Sequence, residues 1–163
     1  MNTGKETRVG IADMRIIRGE GTLITYALGS CVGISLYDPV LKLGGLLHIM
    51  LPESAHMTGM AEMNIYKFAD TGIPEMIRKM QVFGGRKDRY QCKIAGGAKM
   101  FEMSGEMGNI GQRNVESVRR VLAAERIRIL RQDVGQNYAR TMSLDVPSGM
   151  VRIRTYGRQE IIL

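Results

Sequence analysis

The sequence predicts an α+β fold in which a largely antiparallel sheet packs against two helices. Strand-like segments come first, followed by a helix, a strand, a second helix and a final group of strands. A hairpin signal near the C-terminus, where Pro147-Ser148-Gly149 separates two strand-like segments, favours antiparallel pairing. The 163 residues are enough to bury a core without disulfides or metals, so we expect residues 1–163 to form a single domain.

Three strand signals, rich in β-branched and aromatic residues, fill the first third of the chain at residues 21–28, 31–37 and 46–51. The dipeptide Gly29-Ser30 separates the first strand from the second. Asp38-Pro39 and Gly44-Gly45 predict a turn between the second and the third. If the chain turns back at that point, the second and third strands pair as neighbours.

Two helices are predicted from apolar residues that recur at intervals of three and four. The first covers residues 64–80, where Pro74 predicts a kink or a restart, and the second is marked by Val115, Val118 and Leu122. The remaining segments are predicted as strands at 90–94, 127–130, 141–146 and 150–156, and as loops at 53–62 and 104–111.

Composition argues against several classes of protein. Two cysteines cannot build a disulfide scaffold, and two histidines without metal-ligand spacing leave little material for a zinc site. No apolar run reaches the length of a membrane span, and the N-terminus lacks a signal-peptide core, so we expect a cytoplasmic protein without membrane insertion. The net charge of +7 favours an anionic partner, but 6% aromatic residues and no recognisable motif argue against nucleic acid.

Cys31 is the residue most suggestive of chemistry. It follows Gly29-Ser30 at a break between two strands, where a sharp turn can point backbone N–H groups outward beside the thiol. Such groups next to a nucleophile can form an oxyanion hole, which places Ser30 close to the reacting atoms. A small, inert core cysteine is the alternative, and the local sequence alone favours it.

His48 lies between Leu47 and Ile49, so its side chain points to the opposite face of the strand from theirs. If its strand pairs with the strand that follows Cys31, the imidazole approaches the thiol. It can then take the thiol proton and later protonate a leaving group. A core histidine hydrogen-bonded to the backbone is the alternative, and for His48 taken alone it is favoured.

A Cys–His pair usually has a third group that orients the imidazole. Thr25 offers a hydroxyl on the strand that leads into the Cys31 turn, and Asp38 and Asp70 offer carboxylates. The residues alone favour Thr25 as an ordinary strand former and Asp38 as a turn starter.

The other reactive side chains favour structural roles. Cys92 alternates with polar residues and is expected in the core, whereas His56 is expected in solvent on a polar loop. Four arginines that alternate along the C-terminal strands are expected to form a solvated face: Arg126, Arg128, Arg152 and Arg154.

Several stretches resemble the chemoreceptor glutamine deamidase family, CheD. The main ones are residues 25–32 (TYALGSCV) and 48–52 (HIMLP), with Asp38-Pro39 between them. Shorter stretches follow at 67–71 (KFADT), at 93–98 (KIAGGA) with Met100-Phe101, and at 109–111 (NIG) with Arg113-Asn114. Each motif is short, but their order and spacing from about residue 9 to about residue 156 make the resemblance specific.

Carried over by position, the resemblance implies that Cys31 is the nucleophile, His48 the general base and acid, and Thr25 the third catalytic member. It implies a layered α/β sandwich similar to the deamidase domain of cytotoxic necrotizing factor toxins, and a reaction without metal or organic cofactor. One stretch departs from the family pattern, because Gln136 and Ala139 stand where many members have glycine.

The activity that the resemblance implies is deamidation of glutamines on the cytoplasmic helices of chemoreceptors, a step in chemotaxis adaptation. The family also implies binding to a CheC-type phosphatase. A non-catalytic regulatory module that acts on chemoreceptors and on such a phosphatase is therefore the alternative. Replacement of Cys31 by Ala distinguishes the two functions, since a regulatory module would keep its partner binding and its biological effect.

Overall fold

The structure, a computed structural model, describes residues 4–55, 64–100 and 106–163. Within these ranges the chain forms ten strands and two α-helices. In order they are β1 (Glu6–Arg8), β2 (Asp13–Arg18), β3 (Thr22–Leu28), β4 (Val32–Asp38), β5 (Leu43–Ile49), α1 (Ala69–Val82), β6 (Gln91–Gly96), α2 (Ile110–Ala124), β7 (Ile129–Val134), β8 (Arg140–Asp145), β9 (Met150–Arg154) and β10 (Ile161–Ile162).

The strands divide between two five-stranded sheets. The outer sheet has the order β1-β3-β8-β9-β10 and the central sheet the order β2-β5-β4-β6-β7. The pairs β1–β3 and β6–β7 are parallel and the other named pairs are antiparallel. Both helices pack on one face of the central sheet and the outer sheet covers its other face. The predicted α+β class, with two helices and mainly antiparallel pairing, is confirmed.

The central strands β4 and β5 are buried at every position, since layers cover both of their faces. Ile34 and Leu47 point towards the helices, whereas Tyr37 and Leu46 point towards the outer sheet. The two strands pair in antiparallel register, with Gly33 opposite His48. His48 therefore lies on the face that the outer sheet covers, opposite in direction to Leu47, as the sequence predicts.

Gly44-Gly45 lies inside β5 and not in the turn where the sequence placed it. A Cβ on Gly44 would come within 2.9 Å of Leu144 and Val146 on the outer-sheet side. A Cβ on Gly45 would come within 2.9 Å of Met76 and Met80 of α1 on the other side. The two glycines let all three layers approach closely, which is why this strand carries turn-forming residues.

The helices differ from their predicted bounds. The first was predicted from residue 64, but α1 begins five residues later, at Ala69, and ends two residues beyond the predicted end, at Val82. Pro74 lies inside α1, which runs without interruption from Ala69, so the predicted restart at Pro74 is wrong. The proline ring removes one backbone hydrogen bond of the second turn, yet the helix continues past it to Val82. Likewise, α2 begins at Ile110, within the segment that the sequence predicted as loop.

The hairpin of β8 and β9 is confirmed, whereas β1, β2 and β10 carry no clear sequence signal.

The departure from the family pattern at Gln136 has a visible backbone consequence. Its φ of 63° lies in the left-handed region, which glycine adopts without strain and other residues rarely adopt.

Candidate active site

Cys31 lies in a turn that carries the chain from the outer sheet to the central sheet. The turn covers residues 29–31, between the end of β3 and the start of β4. Its carbonyls are bound by the loop after β6: Gly97 N–H donates to Cys31 O at 2.8 Å, and Ala98 N–H donates to Gly29 O at 2.8 Å. The backbone on both sides of the thiol is therefore fixed, while the side chain itself is only half-buried.

A glycine is required where this loop meets the turn. Gly96 has a φ of 112°, and a Cβ there would collide with the carbonyl oxygen of Cys31. The predicted glycine-rich turn after β6 thus supports the Cys31 turn from behind.

Cys31 and His48 lie on the same face of the central sheet. Gly33 is opposite His48 in the register of β4 and β5, and Cys31 precedes Gly33 by two residues. Cys31 packs against the cluster between the two sheets, the face towards which His48 points. Diagonal neighbours on paired strands have Cα atoms about 7–8 Å apart, within side-chain reach. The two residues that the sequence suggested as a pair are therefore diagonal neighbours on one face of the central sheet.

Thr25 and His48 are joined by a hydrogen bond across the two sheets. Thr25 Oγ1 lies 2.8 Å from His48 Nδ1 and 2.8 Å from the carbonyl oxygen of Val9. A carbonyl can only accept, so the single hydroxyl proton goes to Val9 and the oxygen accepts from Nδ1–H. This network assigns the proton of a neutral imidazole to Nδ1 and leaves Nε2 as a proton acceptor.

Nε2 of His48 is buried and has no hydrogen-bond partner among the described residues. Burial lowers the pKa of His48 to about 4, and the nearby negative charge of Asp13 opposes that shift in part. The imidazole is therefore neutral at pH 7, with an unoccupied acceptor on the side away from Thr25. Four other buried side-chain atoms in the described ranges also lack a partner, so it is the combination with the Thr25 bond and the Cys31 thiol on the same face that points to chemistry.

Burial also raises the pKa of the Cys31 thiol, and the backbone N–H of Cys31 itself offsets part of this effect. The resting pair at neutral pH is accordingly a thiol and a neutral imidazole rather than an ion pair. In such a pair the proton moves when the sulfur attacks, which is general-base catalysis.

Asn114 of α2 ties the two strand ends of the site together, a feature that the sequence analysis missed. Its buried Nδ2 donates to Ser30 O at 2.9 Å and to Met50 O at 3.0 Å. Only the NH₂ group can serve two carbonyls, so the amide orientation is assigned by its partners. The sole sequence signal was the position of Asn114 in the NIG and Arg113-Asn114 stretch.

The two carboxylates considered as third members lie elsewhere. Asp38 is at the far end of β4, where it binds Arg89, and Asp70 accepts hydrogen bonds from the backbone and hydroxyl of Ser54. Both carboxylates therefore serve the fold. For Asp38 this agrees with its predicted position at the start of a turn.

Cys92 is fully buried on the helix-facing side of the central sheet, opposite to Cys31, which confirms the predicted core position. Burial raises its pKa to about 12. The arginines at 126, 128, 152 and 154 are exposed, as predicted. His56 lies outside the described residues.

The immediate surroundings of the thiol are partly apolar. Met100 is 39% exposed, and its Cγ would lie 3.1 Å from a Cβ on Gly29. A cavity of about 360 Å³, lined by residues such as Gly97, Val115 and Gln136, does not include Cys31, His48 or Thr25.

No three His, Cys, Asp or Glu side chains of the described ranges come together as metal ligands. In the same ranges, neither helix combines the length and the apolar character needed to cross a membrane.

Comparison with known proteins connects this geometry to a family. The family model described as CheD chemotactic sensory transduction matches residues 50–155. Relatives named "Probable chemoreceptor glutamine deamidase CheD" cover more of the chain. The one from Desulforamulus reducens is 50% identical over 154 residues, which are 93% of this chain and 92% of the relative.

The relative from Clostridium botulinum strain Alaska E43 is 46% identical over 93% of this chain and 94% of its own length. That from Moorella thermoacetica is 47% identical over 94% of this chain and 93% of its own length. The likeness therefore extends over most of the chain, beyond the part that the family model matches.

Proposed function

The chain belongs to the CheD family, and from that premise we propose that it is a protein-glutamine deamidase that converts glutamines of chemoreceptors to glutamate in chemotaxis adaptation. In this proposal Cys31 is the nucleophile, His48 is the general base and acid, and Thr25 orients the imidazole. The observation that carries the assignment is the state of His48. Its Nδ1 is bonded to Thr25 at 2.8 Å while its buried Nε2 has no partner in the described ranges.

The first step forms the covalent bond. Sγ of Cys31 attacks the side-chain carbonyl carbon of the substrate glutamine as Nε2 of His48 takes the thiol proton. The carbonyl oxygen becomes negatively charged, and the backbone N–H groups of the Ser30–Cys31 turn stabilise it. The Cys31 N–H also favours the thiolate form of the nucleophile, because it lowers the pKa of the thiol against the larger effect of burial.

The second step releases ammonia. The His48 imidazolium gives its proton to the amide nitrogen, the C–N bond breaks, and the acyl group remains on Cys31 as a thioester. Thr25 accepts the Nδ1–H bond throughout, so the ring presents the same nitrogen to thiol, leaving group and water.

The third step regenerates the enzyme. His48 Nε2 removes a proton from water as the water oxygen attacks the thioester carbon, and the sulfur leaves and regains its proton. The sum of the steps is glutamine plus water giving glutamate plus ammonia. Every proton and bond is accounted for by the three side chains, the backbone and water.

We further propose that the substrate glutamines lie on receptor cytoplasmic helices, that the protein acts in the cytoplasm, and that residues 1–163 function as one domain. The two described cysteines are free thiols, the usual state of cysteine in cytosolic proteins. The charge of +7 favours encounter with an acidic receptor surface.

Binding to a CheC-type phosphatase is the remaining part of the proposal, and a binding measurement on the Cys31→Ala variant tests it separately from catalysis. Retained affinity for the phosphatase, with deamidation lost, is expected. Loss of both would contradict independent catalytic and regulatory functions.

Mass spectrometry of a receptor cytoplasmic fragment tests the reaction. Incubation with the wild-type protein should add about 1 Da at specific glutamines, the difference between an amide and an acid. Cys31→Ala should leave the fragment unchanged, and Cys92→Ala, which removes the thiol on the opposite face, should retain activity. Deamidation by the Cys31→Ala variant would contradict the proposal, as would no reaction by folded wild-type protein on cognate receptors.

A further inference from the structure

Asp13 is the cross-strand neighbour of His48. The first residue of β2, it is opposite His48 in the register of β2 and β5. Its carboxylate accepts from the backbone N–H of Gly10 at 3.0 Å and from that of Met14 at 2.8 Å. Arg15 forms an ion pair with it at 3.2 Å, and 27% of the Asp13 side chain is exposed.

One peptide group connects Asp13 to the site. The Gly10 N–H that Asp13 binds and the Val9 carbonyl that Thr25 binds belong to the same peptide unit. An anion at the N–H end of a peptide increases the negative charge on its carbonyl oxygen, because hydrogen bonds in series polarise one another. The Asp13 carboxylate, the peptide, Thr25 and His48 therefore form one chain of hydrogen bonds of 3.0, 2.8 and 2.8 Å.

We propose that Asp13 is a positioning residue of the active site, whose carboxylate orients and polarises His48 through the Val9–Gly10 peptide and the Thr25 hydroxyl. The inference rests on the proposed function of His48 as the base. It assigns to this site the negative charge that a neutral Thr hydroxyl cannot supply to a buried imidazolium.

The effect is directional as well as electrostatic. The carbonyl of Val9 must point at Thr25 for the hydroxyl to accept from Nδ1–H rather than donate to Nδ1. Asp13 holds the N–H end of the same peptide and so restricts rotation of the carbonyl. Without this restraint the hydroxyl can reverse, and His48 would then carry its proton on Nε2, the wrong nitrogen for a base.

Few other charged groups of the described residues face His48. On β2 the only charged neighbour in direct contact with Asp13 is Arg15, on the described part of the chain. The facing strand β3 presents Thr25, β4 presents Gly33 opposite His48, and the turn before β4 presents the Cys31 thiol. Asp13 is also the one charge that raises the pKa of His48 against burial.

The test combines nitrogen-15 NMR of the imidazole with kinetics. The chain has two histidines, so a His56→Gln variant identifies the His48 signals. Asp13→Asn keeps an acceptor for Gly10 but removes the charge. We expect it to lower kcat on a receptor fragment about 3- to 10-fold with KM unchanged. We also expect it to move the titration of His48 and the acid limb of the pH–rate profile to lower pH by roughly half a pH unit.

Asp13→Ala removes the acceptor as well, so we expect a larger loss of kcat and a signal from the Nε2–H form of His48. Asp70→Asn is the matched control, because it removes a partly buried carboxylate that binds the backbone of Ser54 and has no link to Val9. It should change neither the His48 titration nor kcat.

Two results would overturn the inference. One is an Asp13→Asn variant with the wild-type kcat and His48 titration. The other is a fall in kcat with an unchanged titration and a lower Tm, which would assign Asp13 a purely structural role. Both leave the proposed function intact, since that fails if the Cys31→Ala variant still deamidates the fragment or if the folded wild-type protein does not react with cognate receptors.

Discussion

Strands β4 and β5 bury a polar side chain near each end of their shared ladder, Asp38 at one end and His48 at the other. The two side chains differ in how many hydrogen-bond partners they have. At one end, Asp38 accepts from Arg89 at 2.7 and 3.0 Å and from two backbone N–H groups, those of Val40 and Arg86. At the other end, His48 has one partner, on Nδ1, and its buried Nε2 has none in the described ranges.

The pKa values of Asp38 and His48 reflect this difference in hydrogen-bond partners. Burial alone would raise the pKa of Asp38, but the hydrogen bonds and charge of Arg89 and the backbone N–H of Arg86 outweigh it and lower the pKa. For His48, the charge of Asp13 offsets the effect of burial only in part, so burial lowers the pKa of the imidazole to about 4. A buried polar group with all its partners stabilises a fold. His48 instead keeps an unpaired nitrogen on the face that Cys31 shares, where it can exchange a proton. Substitutions at the two ends of the ladder test this difference.

The largest expected effect is on catalysis at the His48 end. His48→Gln keeps a side chain that can bond to Thr25 but removes the base, so kcat should fall by about 10³-fold. Far-UV circular dichroism and Tm should show a folded protein. A kcat within tenfold of the wild-type value would contradict the assignment of His48 as the general base.

Asp38→Asn should have the opposite effect: it should lower stability and leave kcat unchanged. It leaves the Arg89 guanidinium without its carboxylate, so the free energy of unfolding should fall by about 3 kcal/mol, at the low end for a buried pair because Arg89 is 25% exposed. For a chain of 163 residues, this corresponds to a fall in Tm of roughly 10 °C. Below the unfolding transition, kcat should match wild type, since about 20 Å of strand separate Asp38 from Cys31. A kcat loss without destabilisation would break the comparison.

The pH dependence of stability should also distinguish the ends. His48 has a lower pKa folded, about 4, than its ordinary value of about 6.5, so the unfolded chain binds its proton first. Stability from this group is present above pH 6.5 and falls by about 3 kcal/mol as the pH drops to 4.

Denaturant unfolding of wild type and His48→Gln at several pH values measures this contribution. Between pH 6.5 and 5, where carboxylates titrate little, the variant should lose less stability than wild type. Parallel curves for the two proteins would contradict the burial of a neutral imidazole.

A smaller effect is expected at Asn114, which joins the carbonyls of Ser30 and Met50. Asn114→Ala should lower kcat about tenfold, because the Cys31 turn and the end of β5 are no longer held together. Ser117→Ala is the control on the same helix, since the buried Ser117 hydroxyl donates to Pro52 O at 2.7 Å and not to the Cys31 turn. Equal kcat values for the two variants, at similar losses of stability, would show that Asn114 serves the fold alone.

The sequence predicted the elements that carry the site better than their arrangement. Alternating patterns located β3, β4 and β5, and the position of His48 between two apolar residues predicted its direction. The division into two sheets was not predictable, because the same alternation fits a strand in either sheet. The strand β2 was missed since its arginines and short apolar run give no clean alternation.

The sequence suggested candidate site residues where side-chain identity carries the information. Cys31 and His48 were suggested by their types and positions, whereas Thr25 resembled any strand residue until the family resemblance singled it out. The Val9 carbonyl has no sequence signature, because every residue has one. Asn114 and Asp13 bind backbone groups that the fold brings near, so their contacts are seen only in the structure.

The central claim is that the Cys31 end of the ladder forms a covalent acyl intermediate, and trapping with hydroxylamine tests it most directly. A thioester attacked by hydroxylamine instead of water leaves a hydroxamate about 16 Da heavier than glutamine at the same receptor positions. We predict this product with wild type and with Asp38→Asn, and none with Cys31→Ala. Deamidation by Cys31→Ala without any hydroxamate would contradict the claim.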